Sequence, residues 1–306
     1  MQRYLVQRLL LSIPVILGVT LVVFSILFLT PGDPVRMMAG PRAAEERVQE
    51  IRQQLGLDRS VPVQYLSWLS RILQGDLGVS IAAKRPVAQL IGEQIPFTLR
   101  LAVTALIVGT TLGITLGVVA AVKQNGWVDY TITYTSLFWF SMPSFWLGLM
   151  LILAFGIWLR WLPISGARSS DALILPALTL ALPQMGALAR LVRAEMLDVL
   201  REEYIRTAYA KGVPKHLTLY RHALRNAMIP VAVLLFLSLP WLLGGAVVVE
   251  TIFAWPGMGR LMYTALTQKD FPVVQALLLI IALSTVLANL MGDVVTALLD
   301  PRIERV

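Results

Sequence analysis

Six stretches of this 306-residue chain carry no charged residue: 9–32, 101–122, 130–159, 172–189, 226–249 and 271–292. The shortest holds 18 residues and the longest 30. About 20 apolar residues in a helix cross a hydrocarbon core of about 30 Å, so each stretch can span a bilayer. Strands of a membrane barrel would alternate apolar and polar side chains over about ten residues. These Leu-, Ala- and Gly-rich runs do not alternate. Composition agrees, with 57% of residues hydrophobic and 14% charged, against about 25% charged in soluble proteins. The fold class read from this pattern is an all-α integral membrane protein with six transmembrane helices.

Arg3 and Arg8 precede the first stretch, and no small-residue cleavage site follows it, so it reads as a retained span. With the N-terminus inside, the inner segments are 1–8, 123–129, 190–225 and the tail from residue 300. They hold 13 Lys and Arg against 7 acidic residues, whereas the long outer segment 31–97 holds 8 against 7. That asymmetry is the positive-inside pattern, and it places both termini in the cytoplasm. Single cysteines at Ser60 and Thr218 of this Cys-free chain should then label from opposite sides.

The outer segment carries two helical patterns. One runs over 43–55, with Val48, Ile51 and Leu55 on one face and Gly56 as a stop; the other runs over 62–74 between Pro62 and Gly75. The apolar stripe that includes Tyr65, Trp68 and Leu69 reads as internal packing or membrane contact. In the inner loop, residues 193–226 read as helix, break, helix, because Gly212 and Pro214 interrupt a helix-compatible sequence. After the break Leu217, Tyr220 and Leu224 share one helical face, and Arg221 and Arg225 lie on another. Such a loop suits a compact hairpin that docks a partner; its alternative is an interfacial helix with a basic face on anionic lipid.

Catalytic signatures are missing. The sequence has no phosphate-binding loop, no H-E-x-x-H and no G-x-G-x-x-G. His216 and His222 are its only histidines and are spaced poorly for a metal, and without Cys there is neither a disulfide nor a thiolate site. A net charge of +8 lies mostly in inner loops and does not indicate nucleic acid. Ion-coupled carriers need ionisable groups at membrane depth. Only Asp293 comes near, and with Asn289 one turn earlier it reads as a hydrogen-bonding pair toward a neighbouring helix.

Two prolines lie near the middle of apolar stretches, Pro143 in the third and Pro240 in the fifth. Each removes a backbone hydrogen bond and bends its helix, a defect tolerated where a helix lines a cavity. Ser141, Pro143, Ser144, Ser238 and Pro240 are therefore candidate translocation lining, with a purely structural kink as the alternative. Gly109, Gly113 and Gly117 form a small-residue face that permits close helix approach. Trp255, Pro256 and Gly257 form a turn whose tryptophan suits either a contact with an external protein or an interfacial anchor.

The inner loop reads Glu203-Tyr204-Ile205-Arg206-Thr207-Ala208-Tyr209-Ala210-Lys211-Gly212 and later His222-Ala223-Leu224-Arg225-Asn226-Ala227. It resembles the cytoplasmic EAA loop of ABC importer permeases in its peptide/nickel version. Ala208, Gly212 and Leu224 fit the general motif. Arg206 and Thr207 replace its first Glu and Ala, and Arg225 replaces its Pro. Further segments resemble dipeptide, oligopeptide, glutathione and nickel permeases: Gly32-Asp33-Pro34, Leu55-Gly56-Leu57-Asp58, Gly75-Asp76-Leu77-Gly78, Arg85-Pro86-Val87, Glu250-Thr251-Ile252-Phe253, Trp255-Pro256-Gly257-Met258-Gly259 and Asp300-Pro301-Arg302.

This resemblance implies a type I ABC importer transmembrane domain forming half a pore in a bacterial inner membrane. Its implied partners are a second homologous permease, two cytoplasmic ATP-binding subunits that use ATP and Mg, and an extracytoplasmic solute-binding protein. No catalytic residue, metal ligand or cofactor is expected in the chain itself. The implied parts are a first helix over 1–30, a helical extracytoplasmic segment over 31–94, a five-helix domain over 95–295 with the loop 190–228, and a tail over 296–306. The ATPase-coupling residues would be Glu203, Arg206, Thr207, Ala208, Ala210, Lys211 and Gly212, and the turn at Trp255, Pro256 and Gly257 would help receive the solute-binding protein. Glycines 109, 113 and 117 would pack within the permease pair. The cargo would be a di- or oligopeptide, with nickel, a metal chelate or glutathione as alternatives. A reading from another class is an ATP-independent channel or secondary carrier.

Overall fold

The computed structural model describes residues 2–29, 35–36, 44–54 and 58–299. The turn after the first span, the stop at Gly56 and Asp300-Pro301-Arg302 lie outside them. In chain order the helices are α1 Gln2–Leu29, α2 Glu45–Gln54, α3 Val61–Leu73, α4 Val87–Val122, α5 Trp127–Ser141, α6 Ser144–Leu151, α7 Ile174–Leu200, α8 Glu203–Ala210, α9 Arg225–Ile252, α10 Met258–Thr267 and α11 Phe271–Leu299. One isolated antiparallel bridge, Val79 to Pro86, is the sole β pairing among the described residues.

Among the described residues four helical segments are long and apolar enough to cross a bilayer: Gln7–Ile26, Val87–Val122, Ser170–Leu200 and Phe271–Val295. A fifth crossing is available if α5 and α6 count as one span. The stretch 226–249 falls in α9, a continuous helix of 28 residues, some of whose side chains lie outside the described set.

The third apolar stretch corrects the expectation of one kinked helix. A residue before proline is pushed out of the α region by the proline ring. Met142 is accordingly extended, with φ −78° and ψ 129°, and Pro143 follows at φ −61° and ψ 132°. The helix therefore breaks into α5 and α6, which meet at 105°. A π-helical turn, Ile152–Trp158, continues α6.

Helix α7 is the centre of the molecule, with 72% of its apolar stretch buried against 22% for α1. Its closest partner is α4, and the glycine face explains the approach. A Cβ at Gly109 would lie 2.9 Å from the Ala181 carbonyl oxygen, one at Gly113 2.7 Å from Leu188 Cβ, and one at Gly117 2.6 Å from Val192 Cβ. The stripe is thus consumed inside this chain, against the expectation that it packs within a permease pair. The contacts advance in the same sense along both helices, so α4 and α7 run parallel.

Polar side chains tie several neighbouring helices together. Arg193 on α7 donates to both carboxylate oxygens of Asp129 on α5, at 2.5 and 2.7 Å, and the Asn125 N–H donates to the same carboxylate at 2.9 Å. Asp293 on α11 pairs with Arg8 on α1 at 3.4 Å, the structural role expected of it; Asn289 is exposed. Gln275 on α11 donates to the Val23 carbonyl of α1 at 3.3 Å. Tyr65 on α3 shares a 2.8 Å hydrogen bond with Thr20 on α1, and Phe24 of α1 meets the rings of Tyr65 and Trp68. The stripe on α3 is therefore internal packing.

Candidate coupling surface and translocation cavity

Helix α8 is held by one apolar anchor. Ile205 is fully buried in a cluster with Val192, Met196, Ala223 and Ala227. The Tyr204 hydroxyl accepts a 2.7 Å hydrogen bond from Asn226 at the start of α9. Around that anchor Glu203, Arg206, Thr207, Ala210, Lys211 and Gly212 are exposed and Ala208 is half-buried. The coupling candidates thus form one continuous solvent-facing surface.

Gly212 ends α8 by a defined cap. The Val213 N–H donates to the Ala208 carbonyl at 3.1 Å and the Gly212 N–H to the Tyr209 carbonyl at 3.0 Å. That pair of bonds is a Schellman motif, which places its glycine in the left-handed region. Gly212 has φ +76°, and open space surrounds the position where a Cβ would stand. The break is a fixed corner.

Beyond the corner, Lys215–Leu217 and the π-helical Thr218–Leu224 run into α9. The wider π-turn rotates the side chains away from the α-helical phase. Leu217 and Tyr220 are consequently exposed, while Thr218 and Ala223 are fully buried and only Leu224 of the expected apolar face packs inward. Arg221 and Arg225 are exposed.

A cavity of 460 Å³ lies where the α5–α6 break faces α7 and α9. Phe140, Met142, Pro143 and Ser144 line it from the break, Pro183, Gln184, Ala187 and Leu188 from α7, and Leu234 and Ser238 from α9. Of the expected lining, Pro143, Ser144 and Ser238 meet here. Ser141 is exposed elsewhere on the surface and is not part of this wall. The backbone of Pro240 is helical within α9, and its side chain lies outside the described set. The contribution of α7 went unread in the sequence. Its signal was present as a Pro183-Gln184 pair in the middle of the fourth charge-free stretch, where a polar side chain at membrane depth marks a site.

The turn after α9 is a buried lock. Trp255 is 1% exposed and its indole N–H donates to the Phe97 carbonyl at 3.0 Å. It offers no ring to an external protein or to lipid, which corrects both expectations for it. Pro256 is half-buried and Gly257 buried. The Glu250 carboxylate accepts from the Thr98 hydroxyl at 2.7 Å and from the N–H groups of Gly259 and Arg260 at 2.7 and 3.2 Å. A Cβ at Gly257 would lie 2.2 Å from Glu250 Oε1, and one at Gly259 2.4 Å from Val247 Cα. These glycines are there because the carboxylate and the α9 backbone occupy the space a side chain would need. Asp270 closes the same end, accepting from the Ser80 hydroxyl and from the N–H groups of Ile81 and Ala82 at 3.1 and 3.2 Å.

Comparison with known proteins fits this geometry. The family described as "Binding-protein-dependent transport system inner membrane component" matches residues 113–305, and the one described as its N-terminal membrane component matches residues 1–102. The oligopeptide transport system permease protein AppB of Bacillus subtilis is 40% identical, covering 99% of this chain and 100% of that protein. The glutathione transport system permease protein GsiC of Escherichia coli is 42% identical, covering 99% of each. Among solved structures, a chain of the methionine ABC transporter MetNI superposes with a TM-score of 0.60 at 17% identity, over 69% of this chain and 97% of that one. An amino acid ABC transporter chain superposes with a TM-score of 0.52 at 15% identity, over 70% of this chain and 94% of that one. The fold is therefore that of ABC importer membrane subunits, and the chain belongs to the binding-protein-dependent inner membrane components, as an ABC importer permease of the peptide family.

Proposed function

We propose that this chain forms half of the translocation pathway of an importer for di- or oligopeptides. It would cross the membrane six times with both termini inside and pair with a second permease. Two ATP-binding subunits would engage α8 from the cytoplasm, and a solute-binding protein would deliver cargo from the other face. The observation that carries the reading is the juxtaposition of an exposed short helix and a cavity along α7: α8 is seated beside α7 at Val192 and Met196, and the cavity opens on the same helix at Pro183 and Gln184. A force applied at α8 therefore has a short, rigid route to the cavity wall.

The parallel course of α4 and α7 supports the six-span topology. Two parallel membrane helices need a return crossing between them, and the α5–α6 pair is the connection available. ATP would be bound by partners, since the sequence has no phosphate-binding loop. Glutathione is the second reading, favoured by the 42% identity to GsiC over 99% of the chain.

The test is uptake into proteoliposomes containing the whole importer, with its binding protein outside relative to the ATP. Labelled dipeptides and tripeptides should accumulate only with ATP. Accumulation of nickel chelates in place of peptides, or uptake by this chain without ATPase subunits, would overturn the reading.

A further inference from the structure

Helix α3, Val61–Leu73, carries two apolar stripes, and its packing on α1 uses only one of them. Tyr65 and Trp68 meet the Phe24 ring with centroids 5.5 and 5.8 Å away, and the Tyr65 hydroxyl shares its hydrogen bond with Thr20. Pro62, Leu66 and Leu73 follow at i, i+4 and i+11 and form the second stripe, with half-buried Leu69 at the seam between the two. Leu66 is 62% exposed and Leu73 79%. Ser67, Ser70 and Arg71 share a third face and are exposed as well.

What covers the second stripe follows from the depth at which α3 is held. The crossing segment of α1 ends at Ile26. At about 1.5 Å per residue, Phe24 lies about 3 Å and Thr20 about 9 Å inside that end. Helix α3 is therefore fastened to α1 at the edge of the hydrocarbon layer and not in the water beyond it. Leu21 and Val22, at the same level of α1, are exposed too, so the outward surface at this depth is apolar on both helices. Polar residues flank α3 on either side, Asp58-Arg59-Ser60 before it and Gln74-Gly75-Asp76 after it, which keeps both ends at the boundary and the helix along it. Tyr and Trp favour the same level. We propose that α3 is an interfacial membrane helix, its Pro62, Leu66 and Leu73 stripe seated on the acyl chains of the leaflet at the C-terminal end of α1, with Ser67, Ser70 and Arg71 turned to headgroups and water. Lipid then holds the start of the segment between α1 and α4 at a fixed height, and only the polar face of α3 is open to other proteins. The inference rests on α1 being a span and does not depend on the cargo.

The experiment places single cysteines at Leu66, Leu73, Ser67 and Ser70, and at Leu21 as a hydrocarbon reference, in the complete importer in vesicles of phosphatidylethanolamine and phosphatidylglycerol. This chain has no cysteine of its own, and the other subunits are freed of theirs. All five positions are exposed, so a nitroxide attached there leaves the packing intact. Collisions of the nitroxide with oxygen, which concentrates in lipid, are compared with collisions with a water-soluble nickel chelate. The oxygen-to-nickel ratio at Leu66→Cys and Leu73→Cys should be several-fold higher than at Ser67→Cys and Ser70→Cys and approach that at Leu21→Cys. Equal, water-like ratios at all four positions of α3 would overturn the inference. So would labels at 66 and 73 shielded from both reagents, because another subunit would then cover the stripe. A water-like ratio at Leu21→Cys would overturn the span itself, and this inference with it.

Discussion

Gly257 and Gly212 both sit in family-like motifs, yet physically they are opposites. At Gly257 the space is taken, since a Cβ would lie 2.2 Å from Glu250 Oε1, and that carboxylate is pinned by Thr98 and the Gly259 N–H. Gly257→Ala should therefore destabilise the assembly by about 1–3 kcal/mol, the usual cost of overpacking. A thermal midpoint unchanged by that substitution would show the carboxylate free to move. At Gly212 the space is open but φ is +76°, so Ala should cost only about 1 kcal/mol through backbone strain. The Asp129–Arg193 pair makes a second test at this scale. Asp129 is 1% exposed and Arg193 27%, so Arg193→Ala should cost about 2 kcal/mol, less than a wholly buried pair would. Asp129→Asn in the same chain should recover part of that loss, which denaturation midpoints of the single and double variants would show.

The elements differ in how much their sequence announced. Helices α2 and α3 were legible because Pro62, Gly75 and an apolar spacing act locally, and they appear as Glu45–Gln54 and Val61–Leu73. In the loop 193–226 the break at Gly212 and Pro214 was legible for the same reason, whereas the earlier one at Arg201 and Glu202, where Glu202 is extended at ψ 146°, was not. Nor was the second half of the loop, because a π-helical turn over Thr218–Leu224 shifts the phase on which a face is counted, and nothing local in those residues requires it. The 105° break at Met142 and Pro143 was legible as a defect but not in size, since proline removes one hydrogen bond whether the chain then bends gently or turns away. Trp255 was misread because a turn rich in Pro and Gly was equated with exposure, whereas α4 and α9 close over it. Ile205→Ala belongs at this scale. It removes the anchor of α8 and should cost about 2–5 kcal/mol locally, leaving insertion intact and lowering affinity for the ATP-binding subunits. Unchanged subunit affinity would show that α8 is held from outside the chain.

At the scale of the molecule, three buried clusters among the described residues follow one another along α4. Val87 and Ile91 join one with Met262 and Leu277, Leu101 and Ala105 join another with Leu180 and Phe253, and Val118 joins the third with Val192 and Ile205. Charge-free stretches announced the four or five apolar spans found among the described residues but not this stacking, which depends on glycine contacts between α4 and α7 that are distant in sequence. Topology is testable with single cysteines, and the structure changes one site. Thr218 is fully buried and would label from neither side, whereas Ser60 and Tyr220 are exposed. Ser60→Cys and Tyr220→Cys should react with an impermeant maleimide from opposite faces; labelling of both from one face would contradict the proposed orientation. The central claim is that force enters through the exposed surface of α8. Its most direct measurement is cargo-stimulated ATP hydrolysis by the reconstituted importer carrying Gly212→Trp, set beside Arg221→Ala with Arg225→Ala. Because a Cβ at 212 would meet open space, leaving only the modest strain of φ +76°, the Trp variant should fold and insert yet lose stimulation by obstructing the docked subunit, while the double Arg variant should keep most of it. Full stimulation in Gly212→Trp, or its loss only when Arg221 and Arg225 are removed, would contradict the account.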